Sequence, residues 1–334
     1  MSDLFIQDSS LKLSLADNRI VIKNQARELV REIHIDKVDS ILLLGHPQIT
    51  TQLLKKLSLR NINVYYFSKN GHFVSYLDSC RQDDFEKQEE QARAHFDDYF
   101  RLKLAQKIVS AKLRHQINLL SSFDDDGVLE EKDFQVFQNA IKKIQTASSV
   151  HEIMGYEGSC AKSYFYHLNL LTPVAFKFSG RSRRPAQDAF NSLLNLGYSL
   201  LYSFVIGAIK KSGLSLGFAM IHESHKHHAA FASDLMEEWR PVIVDNTVLS
   251  LIREGILIQK DFEEDPHLGI VLKTDAQKIF VEKLSLRMFE IHQYLEDDKK
   301  RYSFAYTLDM QLNSLIRAFK EKDPNCYLAS YTRR

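Results

Sequence analysis

The feature that most constrains this chain is a change of hydrophobic period near residue 83. Before it, apolar residues alternate with polar ones. Leu11, Leu13 and Leu15 lead into Ala16-Asp17-Asn18, and Ile20 and Ile22 alternate again, which predicts a hairpin. Short runs at 32–35 (EIHI), 40–44 (SILLL), 63–67 (NVYYF) and 73–77 (FVSYL) read as further strands, with Asn70-Gly71 as the turn between the last two. Thr50 to Leu59 reads as one short helix capped by Thr50 or Thr51. After residue 83 the period is helical: Leu102, Ala105, Ile108, Val109, Leu113 and Ile117 form one apolar stripe. The expected architecture is α+β in two domains: a small N-terminal β-rich domain (1–80), an acidic helical connector where the two hinge (81–98), and a larger all-α C-terminal domain (99–334).

Composition narrows the function classes. With 12 glycines and 6 prolines in 334 residues the chain is globular rather than disordered or fibrous. The three cysteines, Cys80, Cys160 and Cys326, include no C-x-x-C pair, so neither a disulfide framework nor a thiolate zinc site is expected, and a reducing cytoplasm is. Asp3 and Asp8 give no support for a secretion signal. Ala189 to Ile209 carries no charge over 21 residues. Its Asn191, Ser192, Asn195, Ser199 and Ser203 favour a buried helix over a membrane span. Neither G-x-G-x-x-G nor a Walker loop occurs, which demotes nucleotide-driven and dinucleotide enzymes.

A net charge of +1 hides local segregation. Residues 78–98 hold eight acids against three bases, and 124–133 hold six against one. Between them, Arg101, Lys103, Lys107, Lys112 and Arg114 stand in an acid-free stretch; a second such stretch holds Lys162, Lys177, Arg181, Arg183 and Arg184. Such islands suit a phosphate-binding surface or, equally, solvated helix faces.

Three segments could carry chemistry. In Met154–Phe165, Glu157 stands between Gly155 and Gly158 at the expected start of a helix, where it is either a functional carboxylate or an ordinary first-turn acid. In Ile221–Pro241, His222 and Glu223 open like a zinc-protease motif, but the second histidine is replaced by Lys226. What remains is His222 with Asp234 and Glu237, three residues apart on one helix face that Pro241 must end or kink. Carboxylates with one imidazole suit Mg²⁺ or Mn²⁺ better than zinc. His225, His227 and His228 read as a solvated loop or an adventitious metal-binding patch. The third segment, Phe178–Pro185, concentrates Arg181, Arg183 and Arg184 beside Gly and Ser, a composition fitted to phosphate contacts or to a merely basic loop.

These segments resemble one family, the CRISPR-associated integrases of spacer acquisition, the first of the two universal adaptation proteins. The resemblance lies in GYEGSCAKSYF (155–165), SRRPAQDAFNSLLNLGYSLL (182–201), GFAMIH (217–222) and DLMEEWRPVIVD (234–245). It extends more weakly to LLLGHPQITTQLL (42–54), VYYFSKNGHF (64–73) and RLKLAQKIVSAKLRHQ (101–116). Ala186 departs from the family where a second proline is common, and the loop from Glu223 to Ala232 is unusually rich in histidine. The resemblance implies that Glu157, His222 and Glu237 bind one divalent metal, Mg²⁺ or Mn²⁺, with Asp234 as a supporting acid. It implies an endonuclease and integrase that joins the 3′-hydroxyl ends of short DNA duplexes to a CRISPR repeat by transesterification, in the cytoplasm and as part of antiviral defence. Implied partners are DNA, a second copy of the chain and the small second adaptation protein. Arg240 is a candidate phosphate clamp, and Arg181, Arg183, Arg184, Lys103 and Lys107 are expected to contact DNA. The competing expectation is a DNA-binding architectural protein of the same fold without catalysis.

Overall fold

The computed structural model describes residues 2–68, 73–77, 84–183, 185–223, 228–296 and 300–332. The Asn70-Gly71 turn, Cys80, Arg184, His225 and His227 lie outside the described residues. The chain divides into two compact units, Met1–Asp83 and Asp84–Arg334.

The first unit is built from strands β1 (Ser2–Ile6), β2 (Lys12–Ala16), β3 (Arg19–Lys23), β4 (Leu29–His34), β5 (Val38–Leu44), β6 (Gln48–Ile49), β7 (Asn63–Phe67) and β8 (Phe73–Leu77), with helix α1 (Thr51–Leu59). Two sheets form, in the orders β1-β5-β7-β8 and β4-β3-β2-β6. The β2–β3 hairpin turns at Asp17 and Asn18, whose φ angles of 43° and 61° are those of a mirror-image two-residue turn. Thr50 caps α1, its hydroxyl accepting from the Leu53 N–H at 3.4 Å. Leu13, Ile20, Ile22, Ile41, Leu43, Leu53, Leu57 and Val64 fill the core, so the alternating residues of the sequence face inward. β1, which carries no long alternating run, pairs parallel with β5.

The second unit contains α2 (Phe85–His95), α3 (Asp98–Phe123), α4 (Glu131–Thr146), α5 (Val150–Leu171), α6 (Ala189–Ser212), α7 (Ala230–Met236), α8 (Asn246–Arg253), α9 (Thr274–Phe289) and α10 (Phe304–Glu321). The expected all-α composition is nearly met, but two short antiparallel ribbons interrupt it: β9 (Phe262–Asp265) with β10 (Gly269–Leu272), and β11 (Ile291–His292) with β12 (Tyr302–Ser303). Several of the acids in the two acidic stretches serve as caps. Asp84 caps α2, Asp97 caps α3, Asp124 receives the N–H groups of Val128 and Leu129, and Glu130 with Asp133 forms a capping box on α4. Helix α2, which falls within the connector expected over 81–98, belongs to the helical unit and packs on it: Gln91 is fully buried and bonds both the N–H and the C=O of Ser215.

α3 is buried on nearly every face, with Ala105, Ile108, Val109, Leu113 and Ile117 inside as the stripe requires and Leu102 at the margin. α6 is the uncharged stretch. It is long and apolar enough to cross a membrane, yet 67% of its apolar window is buried inside the unit, where Leu193, Leu200 and Ile206 pack.

Candidate functional site

α5 begins at Val150, capped by Ser149, so Glu157 lies two turns inside the helix. This corrects the expectation of a first-turn acid; that place belongs to Glu152. Gly155 and Gly158 flank it with no heavy atom within 4 Å of where a Cβ would stand, so neither glycine is required by packing inside the chain.

Glu237 sits at the other side of the site, at the C-cap of α7. The helix breaks there: residues 237–239 form a turn, and Arg240–Asp245 then run as a π-helical segment into α8, with the Asn246 N–H donating to the Pro241 carbonyl. Pro241, which has no N–H to donate, enters at the start of that segment. Such segments are frequent at functional sites.

The two glutamates converge on one ammonium. Lys112 of α3 bonds Glu157 Oε1 and, at 2.6 Å, Glu237 Oε2, while Arg240 Nε donates to Glu237 Oε1 at 3.1 Å. The side chains of Lys112, Glu157 and Glu237 are 10%, 17% and 12% exposed, so these charges meet largely out of water. Burial alone would raise the Glu237 pKa, but Arg240 and Lys112 outweigh it and hold the carboxyl at about 2. Burial alone would lower the Lys112 pKa, and Glu237 and Glu157 reverse that too.

His222 arrives on the loop between α6 and α7, and residues 215–222 of that loop are held by bonds from α2, α3 and α7. Gln91 holds Ser215 and Phe218, His95 bonds the Ala219 carbonyl, and Arg101 Nε donates to the Met220 carbonyl at 3.1 Å. Asp234, fully buried on α7, completes the arrangement. Its Oδ2 accepts from the Met220 and Ile221 N–H groups, and its Oδ1 from the His222 N–H at 3.0 Å and from His222 Nδ1–H at 2.7 Å. That last bond raises the His222 pKa and leaves Nε2 as the ring's acceptor nitrogen. Asp234 therefore acts through His222 and has no lone pair directed elsewhere.

A second layer lies behind Arg240. Its guanidinium stacks over the Tyr198 ring at 4.7 Å, and that of Arg181 over the same ring at 5.3 Å. The Tyr198 and Tyr164 hydroxyls each donate to Asp245 at 2.6 Å, and burial pushes the Asp245 carboxyl up to about 6. Beside Glu237, Glu238 faces the opposite way. Fully buried, it accepts from Tyr327, Gln311 and the N–H and hydroxyl of Ser330, which pins the C-terminal segment beneath the site.

The expected DNA contacts divide. Arg183 is exposed, and Lys103 is partly exposed beside Tyr99. Arg181 is turned inward, donating to Asn191 at 2.9 Å and Asn195 at 2.7 Å, which fastens the arginine loop to the first turns of α6. Lys107 Nζ is engaged with the carbonyls of Asn325 and Tyr327 at 2.9 and 3.0 Å. His228 stacks on Tyr202 and bonds Ser233.

The sequence placed Lys112 only in a basic island, not between the glutamates, and singled out none of Asp245, Tyr164, Tyr198 and Glu238. One signal was present for Lys112: it stands four residues beyond Ile108 on a helix whose neighbouring positions are apolar, a place where a lysine needs buried partners.

Two carboxylates and an imidazole are a hard-leaning donor set that suits Mg²⁺ or Mn²⁺. The shared ammonium shows that their oxygens meet at one cationic centre. Among the described residues no three His, Cys, Asp or Glu side chains close around such a centre; His222 acts on Glu237 only at electrostatic range.

The profile of the family described as CRISPR associated protein Cas1 matches residues 4–285. The chain belongs to the Cas1 family. A CRISPR-associated endonuclease Cas1 of Mycobacterium tuberculosis is 34% identical, the match covering 97% of this chain and 96% of the relative. Membership thus places the chain among CRISPR-associated nucleases. Solved structures share the fold. One is a casposase bound to integration product, with a TM-score of 0.83 at 23% identity, covering 97% of this chain and 92% of that one. Another is a chain of a Cas6-RT-Cas1–Cas2 complex, with a TM-score of 0.85 at 24% identity, covering 98% of this chain and 36% of that longer one.

Proposed function

We propose that this Cas1 protein is a divalent-metal-dependent DNA endonuclease and integrase of CRISPR adaptation. It joins the 3′-hydroxyl ends of short duplex fragments to the CRISPR repeat by transesterification, as a homodimer working with the small second adaptation protein, Cas2. The observation that carries this reading is the convergence of Glu157 and Glu237, from separate helices, on one cationic centre. Relatives named endonuclease, a casposase with its integration product and a Cas1–Cas2 complex support it.

Attack of a 3′-hydroxyl on a phosphodiester builds negative charge on the phosphorus-bound oxygens and the leaving alkoxide. A divalent cation held by Glu157, Glu237 and His222 Nε2 would stabilise that charge. Asp234 holds the imidazole in the tautomer this requires. Arg240, aligned by Glu237 and the Tyr198 ring, is a phosphate clamp whose geometry is set before substrate arrives. Arg183 and Lys103 supply backbone contacts, while Arg181 and Lys107 organise the surfaces that carry them. One phosphodiester is exchanged for another, so no nucleotide is consumed.

The test is strand transfer of a labelled duplex into a plasmid bearing a CRISPR repeat, with Cas2, with Mn²⁺ or EDTA, for wild type and Glu157→Ala. Joining that needs metal and is lost in the variant, while duplex binding persists, is expected. Joining retained by Glu157→Ala overturns the site, and binding without joining in the wild type supports the architectural alternative.

A further inference from the structure

We propose that Lys112 is a built-in counter-ion that occupies the cation position between Glu157 and Glu237, so that a divalent metal enters only by displacing it. The inference rests on the reading of those glutamates as ligands.

The geometry is specific. A single Nζ serves both carboxylates, and on Glu237 the two oxygens are divided, Oε2 to Lys112 and Oε1 to Arg240. Two glutamates matched by one lysine and one arginine leave the cluster balanced before any metal binds. Without Lys112 two nearly buried carboxylates would face one another with Arg240 alone, a costly arrangement in a poorly solvated site. With Lys112 in place, a divalent ion must take the same oxygens within a few ångströms of an ammonium, where like charges repel strongly.

Lysine suits this role better than arginine. Its charge is compact and rides on a flexible four-carbon stem, so it can leave without its helix moving. Its Cα stands in the middle of α3, buried on nearly every face, so the displaced ammonium stays tethered beside the centre it left. Lys112 thereby sets a threshold for metal occupancy and keeps the apo site ordered.

Direct measurement of Mn²⁺ binding, by the electron paramagnetic resonance of free Mn²⁺ over the full-length protein without DNA, tests this in wild type, Lys112→Met, Lys112→Arg and Glu157→Gln. Lys112→Met is expected to bind Mn²⁺ about tenfold tighter or more, with a lowered apo Tm that Mn²⁺ restores. Lys112→Arg, which keeps the charge, is expected to bind no tighter than wild type. Equal or weaker binding by Lys112→Met, with Glu157→Gln still impaired, overturns the proposal and leaves the ligands standing. Binding that is absent from the wild type or unaffected by Glu157→Gln overturns both. Should Lys112→Met fail to fold, amine acetylation of Lys112 in the wild type, followed by mass spectrometry, decides instead. Faster labelling with Mg²⁺ supports displacement, and an unchanged or slower rate refutes it.

Discussion

Asp234→Asn preserves shape and removes one acceptor, which makes it a sharp probe of how the site is aligned. In the native side chain both oxygens face donors only: Met220 and Ile221 N–H at Oδ2, His222 N–H and Nδ1–H at Oδ1. An amide must set its NH₂ against one of these pairs. At the Oδ2 side, two buried backbone N–H groups lose their acceptor, at about 1–2 kcal/mol each, so unfolding should become easier by about 2–4 kcal/mol. At the Oδ1 side, the imidazole can keep a bond only by accepting at Nδ1 and carrying its proton on Nε2, which removes the lone pair a metal needs. The first arrangement loses stability alone; the second also strands the His222 N–H, at about 1–2 kcal/mol, and loses metal binding. Urea unfolding, Mn²⁺ titration and long-range ¹H–¹⁵N NMR of the His222 ring separate them. An Asp234→Asn protein within about 0.5 kcal/mol of wild type, with the Nδ1–H tautomer and Mn²⁺ affinity unchanged, would refute the reasoning.

Gly158→Ala should stabilise α5 by about 0.5–1 kcal/mol, since the new methyl meets nothing within 4 Å. Gly197→Ala should cost about 1–3 kcal/mol, because its methyl would lie 2.5 Å from Val244 Cγ1; denaturant midpoints for the pair check the contrast. Asp245, raised from 3.8 to about 6, binds its proton earlier in the folded state. It therefore contributes about 3 kcal/mol below pH about 4, lost as pH rises to about 6. Asp245→Asn should remove that slope from stability measured over the same range, and an unchanged slope counts against it. Arg183→Ala should lessen the salt dependence of duplex binding by about one phosphate contact. Lys107→Ala should leave that dependence alone and lower the Tm, because its ammonium is bonded to Asn325 and Tyr327.

Much of the first unit was legible because a half-buried strand writes its period directly: Leu13, Ile20 and Ile22 face the core as their alternation requires. β1 was not, since it is too short to display a period and owes its place to β5. On α3 the stripe was legible, but a stripe predicts one buried face and α3 buries almost all of them. Local spacing marked Asp234 and Glu237 as neighbours on one face. It could not show that Asp234 faces the loop from Met220 to His222 while Glu237 faces Lys112, because that divergence comes from the break after Met236. The long-range partners, Lys112 with Glu157 and Tyr198 with Asp245, join residues that no window of sequence contains.

The end of the chain belongs to the middle of the site. Tyr327 and Ser330 lie beyond residue 285, where the family match ends, yet they supply donors to Glu238, the immediate neighbour of Glu237. Asn118 of α3 grips Thr332 at 2.7 Å, and Lys107 of the same helix grips the segment upstream. Residues 325–332 thus work as a keystone. A cut before Asp323, or a fusion that pulls this segment away, would strand a buried carboxylate one peptide from the carboxylate proposed to hold metal. Segments exchanged among relatives would have to carry α3 and this closing strap together.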